Sequence, residues 1–290
     1  MTPPAAVVIG DALLDVQVAP RGPMLSGGDV PAEIRLGPGG QGANLAIRLA
    51  RQGISVRLVA SLADDSAGTL VREALAVEGV VLRAVPASST GSVVVLRGPD
   101  GQRTMLSQRV SFGASVTPDL FADADWVVIS GYLLLEPGAG TLAGRIGTGN
   151  ARRALIGCSV PADGVEAWRD AAAAVRPDLL VLNRHEQSSL GQSLEAGMTV
   201  ITDAGGATLT TGGRTLRADA PPGPPAVDTT GAGDAFAAGL LAAVAATDWL
   251  PGEDLLGGAL AAAVELASAV ARADGAQAAV AGERPAALRP

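Results

Sequence analysis

Short apolar runs alternate along this chain with stretches of helical length, and few folds accommodate that rhythm. AAVVIG (5–10), VRLVA (56–60), WVVIS (126–130), ALIG (154–157), LLVL (179–182) and MTVIT (198–202) are short, apolar and rich in β-branched residues. A strand that is apolar on both faces needs cover on both faces, which a parallel sheet between helices provides. Between most of these runs lie amphipathic or Ala-rich stretches such as 43–52, 66–78 and 164–175. Two more Ala-rich helices are predicted near 234–247 and 253–272. The alternation predicts a three-layer α/β/α fold with a mostly parallel central sheet. With 290 residues, the chain is long enough for one large α/β domain or two smaller ones, and a single domain spanning 1–290 is the expectation.

Two regions break the rhythm. Residues 13–36 contain LLDVQVA and AEIRL, where apolar and polar positions alternate. Residues 91–109, GSVVVLRGPDGQRTMLSQR, read as a hairpin about the turn Pro99-Asp100-Gly101. Strands with one polar face do not belong inside a doubly covered sheet. These two pieces are therefore expected to build a small antiparallel appendage, whose open edge invites pairing with a second subunit. The stretch APPGPPA (220–226) is expected to be stiff and extended.

Composition narrows the chemistry by what is missing. All 21 basic residues are arginine, which excludes a P-loop lysine, a protein-kinase ATP lysine and a Schiff-base lysine. Cys158 is the only cysteine and His185 the only histidine. The first is expected as a small buried residue and the second in solvent at a loop or helix start. A net charge of −8 argues against nucleic acid or anionic membranes as partners. The N-terminal MTPPAAVVIG reads as a strand rather than a signal peptide, and charged residues interrupt the long apolar runs. A cytoplasmic protein without a membrane span is the expectation.

The segment VDTTGAGDAF (227–236) sits where a long apolar helix is predicted to begin. One capping residue is enough to start a helix, so Asp234 does not account for the glycines before it. Gly231 and Gly233 let an anion approach backbone N–H groups, and with the helix dipole these make a phosphate site. A carboxylate there repels phosphate unless it has a task of its own. Accepting a proton from an attacking hydroxyl is such a task.

DTTGAGDAF closely resembles the C-terminal signature of the ribokinase-like sugar kinases, the pfkB family. Four other segments resemble that family's in the same order. GDALLD (10–15) resembles its first substrate segment, with an Asp at a strand end, and PGGQGANLAIRLARQG (38–53) its di-glycine segment. NRHE (183–186) is similar to its Asn-x-x-Glu near metal and phosphates, and GAQ (275–277) to the segment beside its nucleotide and monovalent-cation sites. The resemblance covers roughly residues 5–282 and places the family's β-stranded lid at 13–36 and 91–109.

This resemblance implies an ATP-dependent kinase acting on a hydroxyl of a small sugar or sugar acid. Asp234 would be the general base, with the backbone of Gly231, Ala232 and Gly233 as an anion hole. Asp15, Gly40 and Asn44 would bind the sugar, with Arg109 and Tyr132 beside it. Asn183 and Glu186 would place Mg²⁺ through water, which that ion tends to keep. Thr202, Gly205 and Gly233 would lie at the nucleotide, and Asp228 and Thr230 at a K⁺ ion. The lid would pair two subunits. Gln41 stands after the di-glycine where a basic or small residue is common, Tyr132 where ribokinase has a ribose-binding Glu, and Ala279 in place of a cation-site Ser.

The same residues support plainer readings. Asn183 and Glu186 also fit a helix capping box, Asp15 a turn residue, and Asp64 and Asp65 loop and cap residues. GPGGQG (37–42) with Asp64 imitates a dinucleotide fingerprint and hence an NAD-dependent oxidoreductase. Yet AEIRL makes a poor buried strand, and that reading leaves DTTGAGD unexplained. The motifs also admit a non-catalytic sugar-binding protein or a nucleoside kinase. A nucleobase would find few stacking platforms, Phe112 and Tyr132 among them.

Overall fold

The computed structural model describes residues 5–24, 26–98, 103–191, 194–245, 253–273, 275–280 and 283. The expected turn at Pro99-Asp100-Gly101 lies outside them. From the N-terminus run β1 (Ala5–Ile9), β2 (Leu13–Pro20), β3 (Ala32–Gly39), α1 (Gln41–Arg51), β4 (Ser55–Leu62), α2 (Ser66–Val77), β5 (Val81–Pro86), β6 (Ser92–Arg97) and β7 (Arg103–Gln108). There follow β8 (Trp126–Ser130), α3 (Ala139–Gly147), β9 (Arg152–Ile156), α4 (Val165–Val175), β10 (Leu179–Asn183), α5 (Arg184–Leu190) and β11 (Met198–Asp203). β12 (Gly206–Thr211), β13 (Arg214–Asp219), α6 (Ala232–Ala245) and α7 (Glu253–Ala271) complete the described elements.

Nine strands form the main sheet in the order β13-β12-β11-β10-β9-β8-β1-β4-β5. All six expected strands are in it, pairing in parallel. Three edge strands go beyond the expectation. β5 (VLRAVP) has no fully buried residue, and β12–β13 is an antiparallel hairpin closed by Gly212 and Gly213, both at positive φ (54° and 76°). Two consecutive glycines between alternating threonines are the sequence signal for that hairpin.

β1 shows why the sheet needs two cores. Ala6 and Val8 pack on one side with Leu45 and Leu49 of α1, Phe236 and Leu240 of α6 and Leu260 of α7. Val7 and Ile9 point the other way, toward Leu142 of α3 and Trp168 of α4. The two-residue period of a strand delivers one apolar row to each face. Each fully buried aliphatic side chain contributes about 1.5–3 kcal/mol. By length and composition α7 could cross a membrane. It packs against α6, β12 and β13 instead, with Leu256, Leu260, Ala263 and Val264 in the core.

The two irregular regions form a separate four-stranded sheet, β3-β2-β6-β7. It is mixed rather than purely antiparallel. The hairpins β2–β3 and β6–β7 lie side by side, so β2 and β6 run parallel, from Leu14 opposite Ser92 to Val18 opposite Leu96. Leu13, Val93 and Val95 give this sheet a small core of its own. The dinucleotide reading fails here, because AEIRL lies in β3, an exposed strand outside the main sheet.

Candidate active site

The carboxyl ends of parallel strands are where an α/β sheet opens a crevice. In this chain the ends of β1, β8, β10 and β11 meet the lid there. A cavity of about 350 Å³ lies between them, lined by Asp15 of the lid, Gly40 and Asn44 at the start of α1, Arg109, Tyr132, Glu186, Gly231 and Asp234. A second cavity of about 380 Å³ adjoins it, with Ala226, Phe236, Val264 and Ala267 in its wall. Asn183, Thr202, Thr229 and Gly233 border both.

α6 starts at Ala232, two residues earlier than expected, so Gly233 and Asp234 belong to its first turn. Gly231 precedes them at φ 74°, where a Cβ would come within 2.9 Å of the Ala276 side chain. The N–H of Ala232 is turned to the Thr229 carbonyl at 3.3 Å. Among the described residues, none accepts from the N–H of Gly233 or Asp234. The backbone donors left open at this helix start are therefore those of Gly233 and Asp234, whereas the expected anion hole also used Gly231 and Ala232.

Asp234 is half-buried, and its Oδ2 accepts from Asn44 Nδ2 at 3.0 Å. Burial pushes its pKa up to about 7. The Asn44 hydrogen bond and the Arg48 charge pull it down, while the charges of Asp11 and Glu186 push it up. A carboxylate poised near neutrality suits a general base. Asn44, expected at the sugar, thus touches the expected base.

Asp15 is not at the end of a main-sheet strand. It is the third residue of β2, on the underside of the lid, and is buried at 6% exposure. Gln17 Nε2 donates to its Oδ2 at 3.3 Å, while Oδ1 is buried with no partner among the described residues. The carboxylate that follows β1 is Asp11, which lies within GDALLD but is not among the expected site residues. Asp11 Oδ1 accepts from Gly42 N at 3.2 Å, and Asp11 Oδ2 from Arg109 Nη1 at 2.5 Å. The Arg109 guanidinium also lies 3.8 Å over the Tyr132 ring. Gly40 has φ 91°, and a Cβ there would lie 2.7 Å from the Asp11 carbonyl oxygen, so this tight junction of β1 and α1 requires glycine. Gln41 accepts from Ser130 Oγ (2.7 Å) and Gly131 N (3.0 Å) and donates to the Gly157 carbonyl (2.7 Å). It ties the ends of β8 and β9 to the start of α1.

The family model for pfkB family carbohydrate kinases matches residues 4–281. The chain belongs to the pfkB family. It is 30% identical over 242 residues to 1-phosphofructokinase of Rhodobacter capsulatus, covering 72% of this chain and 74% of that protein. It is 30% identical over 268 residues to fructokinase of Klebsiella pneumoniae, covering 82% and 84%. Among solved structures, an uncharacterized sugar kinase of Pyrococcus horikoshii in complex with ATP superimposes with a TM-score of 0.78 at 23% identity, covering 93% of each chain. As a pfkB-family enzyme this protein is an ATP-using phosphotransferase with a hydroxyl acceptor.

The cations that the pfkB resemblance implied fare differently. Asn183 and Glu186 form the capping box of α5: Asn183 Oδ1 accepts from Glu186 N and Glu186 Oε2 from Asn183 N, each at 2.8 Å. Glu186 Oε1 takes no hydrogen bond from the described residues, so an oxygen remains for a hydrated cation. Among the described residues no three His, Cys, Asp or Glu side chains form a metal-holding group. That suits Mg²⁺ carried largely by phosphates and water. The plain reading and the metal reading are compatible.

A monovalent cation on the side chains of Asp228 and Thr230 does not fit. Asp228 Oδ1 accepts from Arg103 (2.8 Å), Thr230 N (2.9 Å) and Thr230 Oγ1 (2.6 Å), and Oδ2 accepts from Arg97 at 3.1 Å. Two lid guanidiniums already supply the positive charge to both oxygens of Asp228. Exchanging K⁺ for a bulky organic cation at constant ionic strength is expected to leave kcat unchanged. Potassium titration of initial rates checks this, and saturable activation would restore the cation site. Thr202 borders the second cavity as expected, but Gly205 does not; its neighbours Ala204 and Gly206 line the wall. Gly205 N is turned to Asp203 Oδ1 at 2.8 Å.

The remaining polar candidates are structural. Asp65 caps α2 through Gly68 N at 2.7 Å and also accepts from Thr90 N at 2.9 Å. His185 is exposed at the start of α5. Cys158 is buried, and burial pushes its thiol up to about 12, which makes it unreactive.

Proposed function

We propose that this pfkB-family kinase transfers the γ-phosphoryl group of ATP to a primary hydroxyl of a free sugar or sugar acid. The observation that carries the reading is Asp15 Oδ1, a buried acceptor with no partner among the described residues, in the same cavity as Asp234. A sugar hydroxyl satisfies such an oxygen, while Asp234 takes the proton of the attacking hydroxyl. The N–H groups of Gly233 and Asp234 receive the transferring phosphoryl group at the positive end of α6. The nucleotide base suits the apolar wall of the adjoining cavity. Mg²⁺ bound with the nucleotide would neutralise phosphate charge, with Asn183 and Glu186 holding its waters. The lid, carrying Asp15 and the arginines on Asp228, keeps water from the γ-phosphate.

Aromatic placement favours a sugar over a nucleoside. Phe112 is buried in the core and cannot stack on a base, and one face of Tyr132 is covered by Arg109. Arg109, paired with Asp11 and stacked, presents its cationic edge to a carboxylate. An ADP-release screen over sugars, sugar acids, phosphorylated sugars and nucleosides tests the reading. Turnover confined to nucleosides, or none at all, would overturn it.

Edge strands β3 and β7 expose Ile34, Leu36 and Leu106. Apolar side chains on an open sheet edge favour pairing with a second lid, and the expected species in solution is a dimer of the 28.7 kDa chain. Light scattering decides this, and a monomer at micromolar concentration would remove the lid pairing.

A further inference from the structure

Behind the cavity, the segment after α7 is clamped to α1. Arg48, on α1, is fully buried; its Nη1 donates to Glu283 Oε1 at 2.7 Å and its Nη2 to the carbonyls of Ala276 (2.6 Å) and Ala278 (3.0 Å). Arg51, one turn on, donates to the Gln277 carbonyl at 3.0 Å. With its backbone held this way, Gln277 reaches back to α1, and its Nε2 donates to Asn44 Oδ1. Asn44 Nδ2 donates in turn to Asp234 Oδ2 at 3.0 Å. The two links join residues 233 and 190 positions apart.

A side-chain amide can present either its oxygen or its NH₂ group to a neighbour. Toward a carboxylate only the NH₂ group is attractive, and a swivelled Asn44 would set oxygen against oxygen. Gln277 settles the matter from the other side by offering a donor, which only the Asn44 oxygen can accept. Gln277 Oε1 is itself buried without a partner among the described residues. A residue kept only for packing would carry no such cost. We propose that Gln277 is a positioning residue for phosphoryl transfer: it fixes the Asn44 amide so that its NH₂ group holds Asp234 Oδ2 and leaves Oδ1 for the substrate hydroxyl. The inference rests on Asp234 being the base. The other charged groups facing Asp234 are Arg48 from α1, Asp11 after β1 and Glu186 from α5. Asp15, Arg103 and Arg109 of the lid region line the same cavity.

Gln277→Glu keeps the shape and removes the donor, so it draws the Asn44 NH₂ group away from Asp234. Gln277→Leu removes the donor without adding charge. In both, the acid limb of the kcat–pH profile is expected to move to higher pH, by about one unit for the Glu variant and less for Leu, because the ionised carboxylate loses a hydrogen bond. At pH 7 kcat should fall about fivefold in the Glu variant, as the ionised share of Asp234 drops from about a half to about a tenth. The second measurement follows the Asp carboxyl ¹³C signals of the substrate-free, Mg²⁺-free protein, with Asp234 assigned by its loss in Asp234→Asn. Its titration should move upward in both variants. A lower kcat with an unmoved profile and titration, or a shift in the Glu variant alone, would make Gln277 a packing residue and overturn the inference. If the titration moves in both variants but the wild type phosphorylates nothing in the screen, Gln277 still positions Asn44 and the kinase reading falls instead.

Discussion

Replacing Asp234 with asparagine is expected to lower kcat by about 10²- to 10⁴-fold, the usual contribution of a positioned proton acceptor. The substituted amide cannot take a proton, but its oxygen can still accept from Asn44 Nδ2, so the local structure has no reason to collapse. Asp234 must be ionised to act, and burial raises its pKa from 3.8 to about 7. Wild-type kcat should therefore fall as pH drops below about 7, and the variant should lose that limb. The same shift has a sign for stability. A carboxyl whose folded pKa lies above its unfolded value contributes stability below pH 3.8, and that contribution is lost as pH rises through about 7. Thermal melts should then show Asp234→Asn gaining more over the wild type at pH 8 than at pH 5. Near-wild-type turnover in the variant would remove Asp234 as the base.

Asp15→Ala should raise KM for the sugar by about 5- to 150-fold, the equivalent of about 1–3 kcal/mol for a lost hydrogen bond in a closed pocket. Asp15 Oδ1 is buried and unpartnered among the described residues, and Gln17 serves only Oδ2. Burial, with a smaller push from the Asp228 charge, holds the Asp15 carboxyl above the usual range, and the Gln17 bond opposes this. A ligand donor relieves that cost, which is why the sugar and not the fold should feel the loss. Some kcat goes as well, since a loosely held hydroxyl misses the in-line geometry. The ATP constant should not change, because the second cavity is walled by residues from 183 onward. Both constants measured on one variant decide it. Equal losses for sugar and ATP would indicate misfolding, and an unchanged sugar constant would take Asp15 out of the site.

Much of this molecule is legible from residues close together in the chain. The six inner strands, the helices that cover them and the lid regions follow from side-chain periods that repeat within a few residues. The proposed phosphate site at the start of α6 is legible in Gly231, Gly233 and Asp234, because it depends on backbone geometry set by those same residues. The edge strands are harder. β5 is short, exposed and interrupted by Arg83 and Pro86, and β12–β13 depends on a Gly-Gly turn that is easily taken for loop.

The pairings between side chains come only with the tertiary structure. Asp11 looks like an ordinary residue after a strand until Arg109, 98 positions on, is brought to its Oδ2. Asp228 looks like a cation ligand until the lid delivers Arg97 and Arg103 from more than 120 positions away. Phe112 offers a stacking platform in the sequence and goes into the core in the structure. The physical reason is the same in each case. Backbone propensity and hydrophobic period act over one or two turns, so a short window contains their whole cause. A hydrogen bond or ion pair acts over about 3 Å and takes no account of chain separation. Which donor meets which acceptor is therefore decided when the sheet, the lid and the C-terminal segment close on one another.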